Sequence, residues 1–305
     1  MKPIFVDEIL RELTTIHDFL RWTVSCFNSA DIYYGHGTDN PWTEAWCLIM
    51  TTVYLSYEDK DRVLYAKLTT SEKSKIIDKV LQRTQEKIPL PYLTHIAYFA
   101  GYDFYVDERV IIPRSPIAEL IDDRFVSIIG ERQIDHILDL CTGSGCIAIA
   151  CSYAFPNAMI DAIDIDLDAI NVAEINIERH DKSEHVFPIQ SDLFLEVQHQ
   201  KYDLIISNPP YVDAQDFANM PEEYQREPTL ALCSGEDGLD ITRKILSQAY
   251  HHLNDEGVLI LEVGNSWVHL VDVFPSVKFN WISFKNGGEG VFYLTKKELF
   301  PFITA

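Results

Sequence analysis

Five short apolar runs occur between residues 135 and 263, at 135–140, 159–164, 185–189, 203–207 and 257–263. Stretches with helical spacing separate most of them, at about 145–154, 166–179 and 240–253. Parallel strands cannot be joined by a tight turn. They need a crossover, usually a helix, and such helices cover both faces of the sheet. The alternation therefore predicts an α/β domain around a mostly parallel sheet. The chain's end, "VKFNWISFKNGGEGVFYLT", reads differently, as two strands joined through "NGGEG". That hairpin adds an antiparallel edge and brings the expected sheet to seven strands.

The N-terminal part lacks this alternation. Phe5, Ile9, Leu13, Ile16, Leu20 and Val24 recur every three or four residues, which predicts a helix over 4–28. "WTEAWCLIMTTVYL" at 42–55 predicts a more buried helix, and 70–85 a third one capped by Thr70 or Ser71. Residues 96–112 are rich in aromatic and β-branched side chains, with Gly101 and "DER" as turn signals, and read as a hairpin connector. The expected organisation is a helical N-terminal domain over 1–90, a β-hairpin connector over 91–114 and a catalytic domain over 115–305.

Composition excludes several classes of function. The formal net charge is −22, whereas a duplex-binding protein needs a basic face for phosphates. A negative field either keeps the chain soluble or attracts a basic partner. No run approaches the ~18–20 apolar residues that span a membrane, and the acidic start does not resemble a signal peptide. A soluble, cytoplasmic protein is expected. The six cysteines form no Cys-x-x-Cys pair and the ten histidines show no metal spacing, so buried thiols and no metal are expected.

The residues that suggest chemistry stand at successive strand ends. "HILDLCTGSGCIAIA" at 136–150 runs strand, glycine turn, helix, and Gly143 and Gly145 permit close approach of a ligand to the backbone. The next strand ends at Asp164, where a carboxylate suits ribose hydroxyls. Asp192 follows the third strand and can accept from an adenine amino group, with Leu193 packing on the base. After the fourth strand comes "SNPPYV" at 207–212, where two prolines end the sheet abruptly. By itself that corner is either a turn or a clamp for a planar amide.

This combination resembles the class I S-adenosylmethionine-dependent methyltransferases, which have a Rossmann-like sheet, and with "NPPY" the protein-(glutamine-N5) methyltransferase family. "PYLTHIAYFAGYDFYVDERVIIPRSPIAELI" and "EEYQREPTLALCSGEDGLD" are similar to the subfamily that methylates large-subunit ribosomal protein three. The release-factor subfamily reads closer to "IPRPDTE" where this chain has "IPRSPIAE". The resemblance implies S-adenosylmethionine as cofactor, bound by Asp139, Thr142, Gly143, Gly145, Asp164, Asp192, Leu193 and Asn208. Asp139 would orient the methionine end through its amino group or a water. It further implies that Asn208 and Pro209 accept the two N–H groups of a glutamine amide, that Pro210 stiffens the corner, and that Tyr211 faces the sulfonium in a cation–π contact. Arg114 and Glu119 would support the active-site cover.

The stretch 211–240 carries Asp213, Asp216, Glu222, Glu223, Glu227, Glu236, Asp237 and Asp240 against Arg226 alone. As a long loop after the clamp, it is expected to meet a basic ribosomal protein rather than free nucleic acid or a membrane. The alternatives are a release-factor glutamine methyltransferase, an adenine-N6 DNA methyltransferase using the same clamp on a flipped base, and a non-catalytic ribosome-assembly factor. The N-terminal helices either bind substrate or support the hairpin.

Overall fold

The computed structural model describes residues 6–303. The chain forms two compact units, Met1–Ile96 with Pro221–Arg226, and Ala97–Met220 with Glu227–Ala305.

In the helical unit, the helix expected over 4–28 is two helices, Val6–Glu12 and Ile16–Ser29; residues 4 and 5 lie outside the described residues. The break follows from Thr15, whose hydroxyl accepts from the Asp18 N–H while the Asp18 carboxylate accepts from the Thr15 N–H. That reciprocal capping box starts a new helix inside one apolar stripe. Asn40 caps Pro41–Thr52, with proline in the first turn. Thr69, rather than Thr70 or Ser71, caps Thr70–Gln85, because only from 69 does the spacing to Glu72 complete a second box. Phe19, Phe27, Leu48, Ile49, Ile76 and Val80 from these helices form the unit's core.

The second unit opens with strands β1 (Ala97–Phe99) and β2 (Tyr102–Phe104), paired antiparallel across Ala100–Gly101. The main sheet comprises β3 (His136–Leu140), β4 (Met159–Asp164), β5 (Val186–Gln190), β6 (Tyr202–Ser207), β7 (Leu253–Glu262), β8 (Asn280–Trp281) and β9 (Val291–Thr295). Its order is β5-β4-β3-β6-β7-β9-β8; the first five strands pair parallel, and β9 pairs antiparallel with both β7 and β8. The expected seven-stranded sheet and its C-terminal hairpin are both present. Neighbouring positions of one strand serve opposite cores: Ile137, Leu204 and Ile206 face one, Leu138, Leu140 and Ile205 the other. Burial on both faces is why these strands read as continuous apolar runs.

Two differences have local causes. β7 begins at Leu253, not 257, because "NDEG" continues the strand through an irregularity in its pairing with β6 instead of turning. Trp267–Val273 and the C-terminal 3-10 segment Lys296–Ile303 were not anticipated; Leu270, Leu299 and Phe302 pack them into the second core.

Candidate active site

Strand β3 pairs with β4 on one side and β6 on the other, so successive connections leave it in opposite directions. The crevice outside the carboxyl ends at such a switch point is where open α/β sheets bind ligands. A cavity of about 160 Å³ lies there. Gly143, Asp164, Asp192, Leu193, Asn208 and Pro210 all line it, contributed by the ends of four strands.

The glycine turn is held from two directions. Gly143 has φ +54°, and its N–H donates to Asp164 Oδ2 at 2.9 Å. Asp164 Oδ1 accepts the Asp166 N–H at 3.0 Å. Two of the carboxylate's roughly four acceptor sites are thus in use, which fixes its plane while leaving lone pairs for a diol. Burial raises the Asp164 pKa, partly opposed by those amides. Gly145 does not line the cavity. With φ +78° it starts the helix Cys146–Ala154, and a Cβ there would stand 3.3 Å from Ala173 Cβ. It serves close packing. The exposed Asp192 side chain has no hydrogen-bond partner among the described residues, and Leu193 beside it is buried at φ 52°. An open acceptor next to an apolar wall suits an adenine. With the oriented Asp164 carboxylate, these groups fit the nucleoside half of S-adenosylmethionine.

Asp139 and Thr142 lie beneath the turn rather than on the wall. Asp139 is fully buried, and its Oδ2 accepts from the Thr142 hydroxyl at 2.5 Å and the Ala148 N–H at 3.1 Å. Its Oδ1 has no partner among the described residues. The carboxylate therefore ties the loop to its own helix, with one oxygen to spare. Burial pushes its pKa up from 3.8 to about 7. A carboxyl raised on folding contributes stability that is fully present below about pH 4 and is lost as pH rises through 7. An asparagine side chain cannot ionise but keeps an acceptor. Relative to the unaltered protein, Asp139→Asn should therefore gain stability progressively from pH 4 to 8, by up to roughly 4 kcal/mol. Thermal unfolding across that range checks this; a gain independent of pH would refute it.

The "NPPY" corner leaves the sheet after Ser207, whose hydroxyl donates to the Leu140 carbonyl at 2.7 Å. The Asn208 side chain and the Pro209 carbonyl have no hydrogen-bond partner among the described residues, and Pro209 itself is buried. Tyr211 does not line the cavity. Its hydroxyl donates to Glu262 Oε1 at 3.0 Å, its ring sits against Gly264, and its carbonyl accepts from the Ser266 hydroxyl at 2.7 Å. Buried Glu262 also accepts from Ser115 at 2.5 Å. Tyr211 thus anchors the corner from behind. Arg114 pairs with buried Glu227. Glu119 lies away from the site, accepting the Lys285 and Asn286 N–H groups at the C-terminal hairpin.

Two further stretches of wall come from Arg109, Val110 and Ile111 and from Pro228, Leu230 and Ala231. Both stretches fall within the motifs that carry the family resemblance, but wall loops have no periodicity to mark them. The acidic stretch 211–240 differs from expectation. Glu223 and Glu227 are buried on arginines, Asp237 and Asp240 pair with Arg243, and Asp213 caps the short helix Ala214–Asn219. Asp216, Glu222 and Glu236 are left exposed.

A doubly covered, mostly parallel sheet with an antiparallel C-terminal edge and a crevice at the carboxyl ends of its strands is the methyltransferase fold. The methyltransferase small domain family matches residues 123–223. Ribosomal protein uL3 glutamine methyltransferase of Francisella tularensis is 47% identical over 293 residues, 96% of this chain and 93% of that protein. The protein of the same name from Neisseria meningitidis is 47% identical over 300 residues, 98% and 99% of the two chains. Among solved structures, a methyltransferase from Pyrococcus furiosus matches at 18% identity and TM-score 0.46, covering 75% of this chain and 99% of that one. The chain belongs to the ribosomal protein uL3 glutamine methyltransferase family. It is an S-adenosylmethionine-dependent methyltransferase. No helix among the described residues is long and apolar enough to cross a membrane.

Proposed function

We propose that this enzyme methylates the side-chain amide nitrogen of a glutamine in ribosomal protein uL3. The observation that carries the chemistry is the pair of open acceptors, the Asn208 side chain and the Pro209 carbonyl, at a corner held rigid by Pro210, Tyr211 and Glu262. S-adenosylmethionine, when bound, supplies an electrophilic methyl group on a sulfonium. Asp164 would hold its ribose, Asp192 and Leu193 its adenine, and Gly143 would admit it close to the backbone.

A neutral amide nitrogen is a poor nucleophile because its lone pair is delocalised into the carbonyl. Asn208 Oδ1 and the Pro209 carbonyl accept its two N–H bonds, raise its electron density and aim it. Positioning by preorganised acceptors then accounts for most of the acceleration. No side chain need act as base, since the methylated nitrogen is strongly acidic and sheds its proton to water.

The relatives' names favour uL3 over release factors as the partner, and a net charge of −22 suits a basic ribosomal protein better than free nucleic acid. The enzyme would act in the cytoplasm. Residues 1–90 would serve as a substrate-binding domain, 91–114 as a connector and 115–305 as the catalytic domain. The test is transfer from labelled S-adenosylmethionine to unmodified uL3, release factors and DNA, with mass spectrometry to locate the methyl group. Label on a uL3 glutamine is expected. Label on release factor alone would keep the chemistry and overturn the partner.

A further inference from the structure

The helix Leu167–Arg179 buries Ala169, Ile170, Val172, Ala173, Ile177 and one polar residue, Asn176. A side-chain amide costs free energy in such a place unless its groups find partners. Asn176 Nδ2 donates to the Ser144 carbonyl at 2.8 Å and to the Tyr105 carbonyl at 3.0 Å. Its Oδ1 accepts the Tyr105 N–H at 2.7 Å. Both amide hydrogens and one oxygen lone pair are in use, and two carbonyls with one N–H fix which way the amide faces.

Each partner belongs to a stretch that reaches the cavity. Ser144 stands between Gly143, which lines it, and Gly145, which packs on Ala173 three residues before Asn176. The Gly145 N–H donates to the Thr142 carbonyl at 2.9 Å, so the peptide between Ser144 and Gly145 is held at both ends. On the other side, Tyr105 opens the stretch that forms wall at Arg109, Val110 and Ile111. The Tyr105 hydroxyl donates to Asp107 Oδ2 at 2.8 Å, and Asp107 Oδ1 accepts from the Arg109 N–H at 3.1 Å and Nε at 2.8 Å. Ile111 then returns to the turn, its Cγ2 3.7 Å from where a Gly143 Cβ would stand. The contact of Gly145 with Ala173 already packs the turn on the helix. What the amide adds is direction, since its donors accept partners only in its own plane.

We infer that Asn176 is a positioning residue for the cofactor cavity. One amide joins the glycine turn at 143–145 to the chain at 105–111 and sets the spacing of these two parts of the wall. All of these residues lie in the second unit. The inference rests on reading the cavity as the S-adenosylmethionine site.

S-adenosylhomocysteine is titrated calorimetrically into the full-length protein and into Asn176→Ala, Asn176→Asp and Leu299→Ala, with thermal unfolding of each. Asn176→Ala removes all three hydrogen bonds and should raise Kd about tenfold. Asn176→Asp keeps the shape and the acceptor for the Tyr105 N–H, but has at most one donor for two carbonyls. It should raise Kd about fivefold. Leu299→Ala opens a gap in the second core at a buried residue that does not line the cavity. It should lower the melting temperature and leave Kd within about twofold. A merely structural Asn176 would behave as Leu299 does, and that result in both Asn176 variants overturns the inference. Should the alanine variant not fold, the aspartate variant decides. An equal rise of Kd in Leu299→Ala would show that affinity only follows stability, and would overturn it too. Absence of binding by the unaltered protein would instead overturn the reading of the cavity, and the inference with it.

Discussion

Asn208→Ala should lower kcat for glutamine methylation about 10²–10³-fold while S-adenosylhomocysteine binding stays within a few-fold. The asymmetry follows from where Asn208 sits. It lines the cavity, where alanine keeps the backbone course, and its side-chain oxygen accepts no hydrogen bond among the described residues. What the substitution removes is one of two acceptors for the substrate amide, an interaction that raises nitrogen electron density only when the amide is aimed at the methyl group. Asn208→Gln separates the presence of an acceptor from its position. It keeps the oxygen but moves it by a methylene, and a displacement of about 1 Å costs on the order of 10²-fold. Single-turnover rates with saturating cofactor measure both variants. Undiminished methylation by Asn208→Ala would show that the corner is only a turn.

The sheet was legible because its physics is local. A strand covered on both faces is mostly apolar, so β4 and β6 are visible as "MIDAID" and "YDLIIS" with nearly correct ends. The corner after β6 was legible because two prolines cannot continue a ladder. Partners distant in sequence were not legible. Nothing near Glu223 tells that it meets an arginine 140 positions earlier, and nothing near Glu227 tells of Arg114. Both carboxylates therefore read as members of an acidic loop that meets a basic partner. The same limit applies to Tyr211: an aromatic beside a clamp suggests a cation–π contact, and only the fold reveals that Glu262 and Ser266 hold it from behind. Thr15 and Thr69 differ in kind. Their capping boxes with Asp18 and Glu72 are written in the local sequence, and at Thr15 the apolar periodicity running through it masked the signal.

Arg114→Met should destabilise the catalytic unit by about 3–5 kcal/mol, and the cause lies in Glu227 rather than in the arginine. The Glu227 side chain is wholly buried, and each of its oxygens lies 2.9 Å from Arg114 Nη1. The Ile112 N–H donates to Oε2 at 3.0 Å. Removing the guanidinium takes away the cation that compensates a desolvated carboxylate, and a neutral backbone amide does not replace a full charge. For a unit of this size the melting temperature should fall by roughly 6–20 °C. The double variant Arg114→Met/Glu227→Leu should recover most of that loss, because it removes the buried charge along with its partner. Cofactor affinity need not recover with it. Glu227 stands immediately before the wall residue Pro228, so an apolar replacement restores burial without the hydrogen bonds that place the wall. Stability regained with S-adenosylhomocysteine binding still weak would separate the two roles of the pair. An Arg114→Met melting temperature within about 2 °C of the unaltered protein would mean that the carboxylate finds water or a proton instead, and that the pair contributes little to either role.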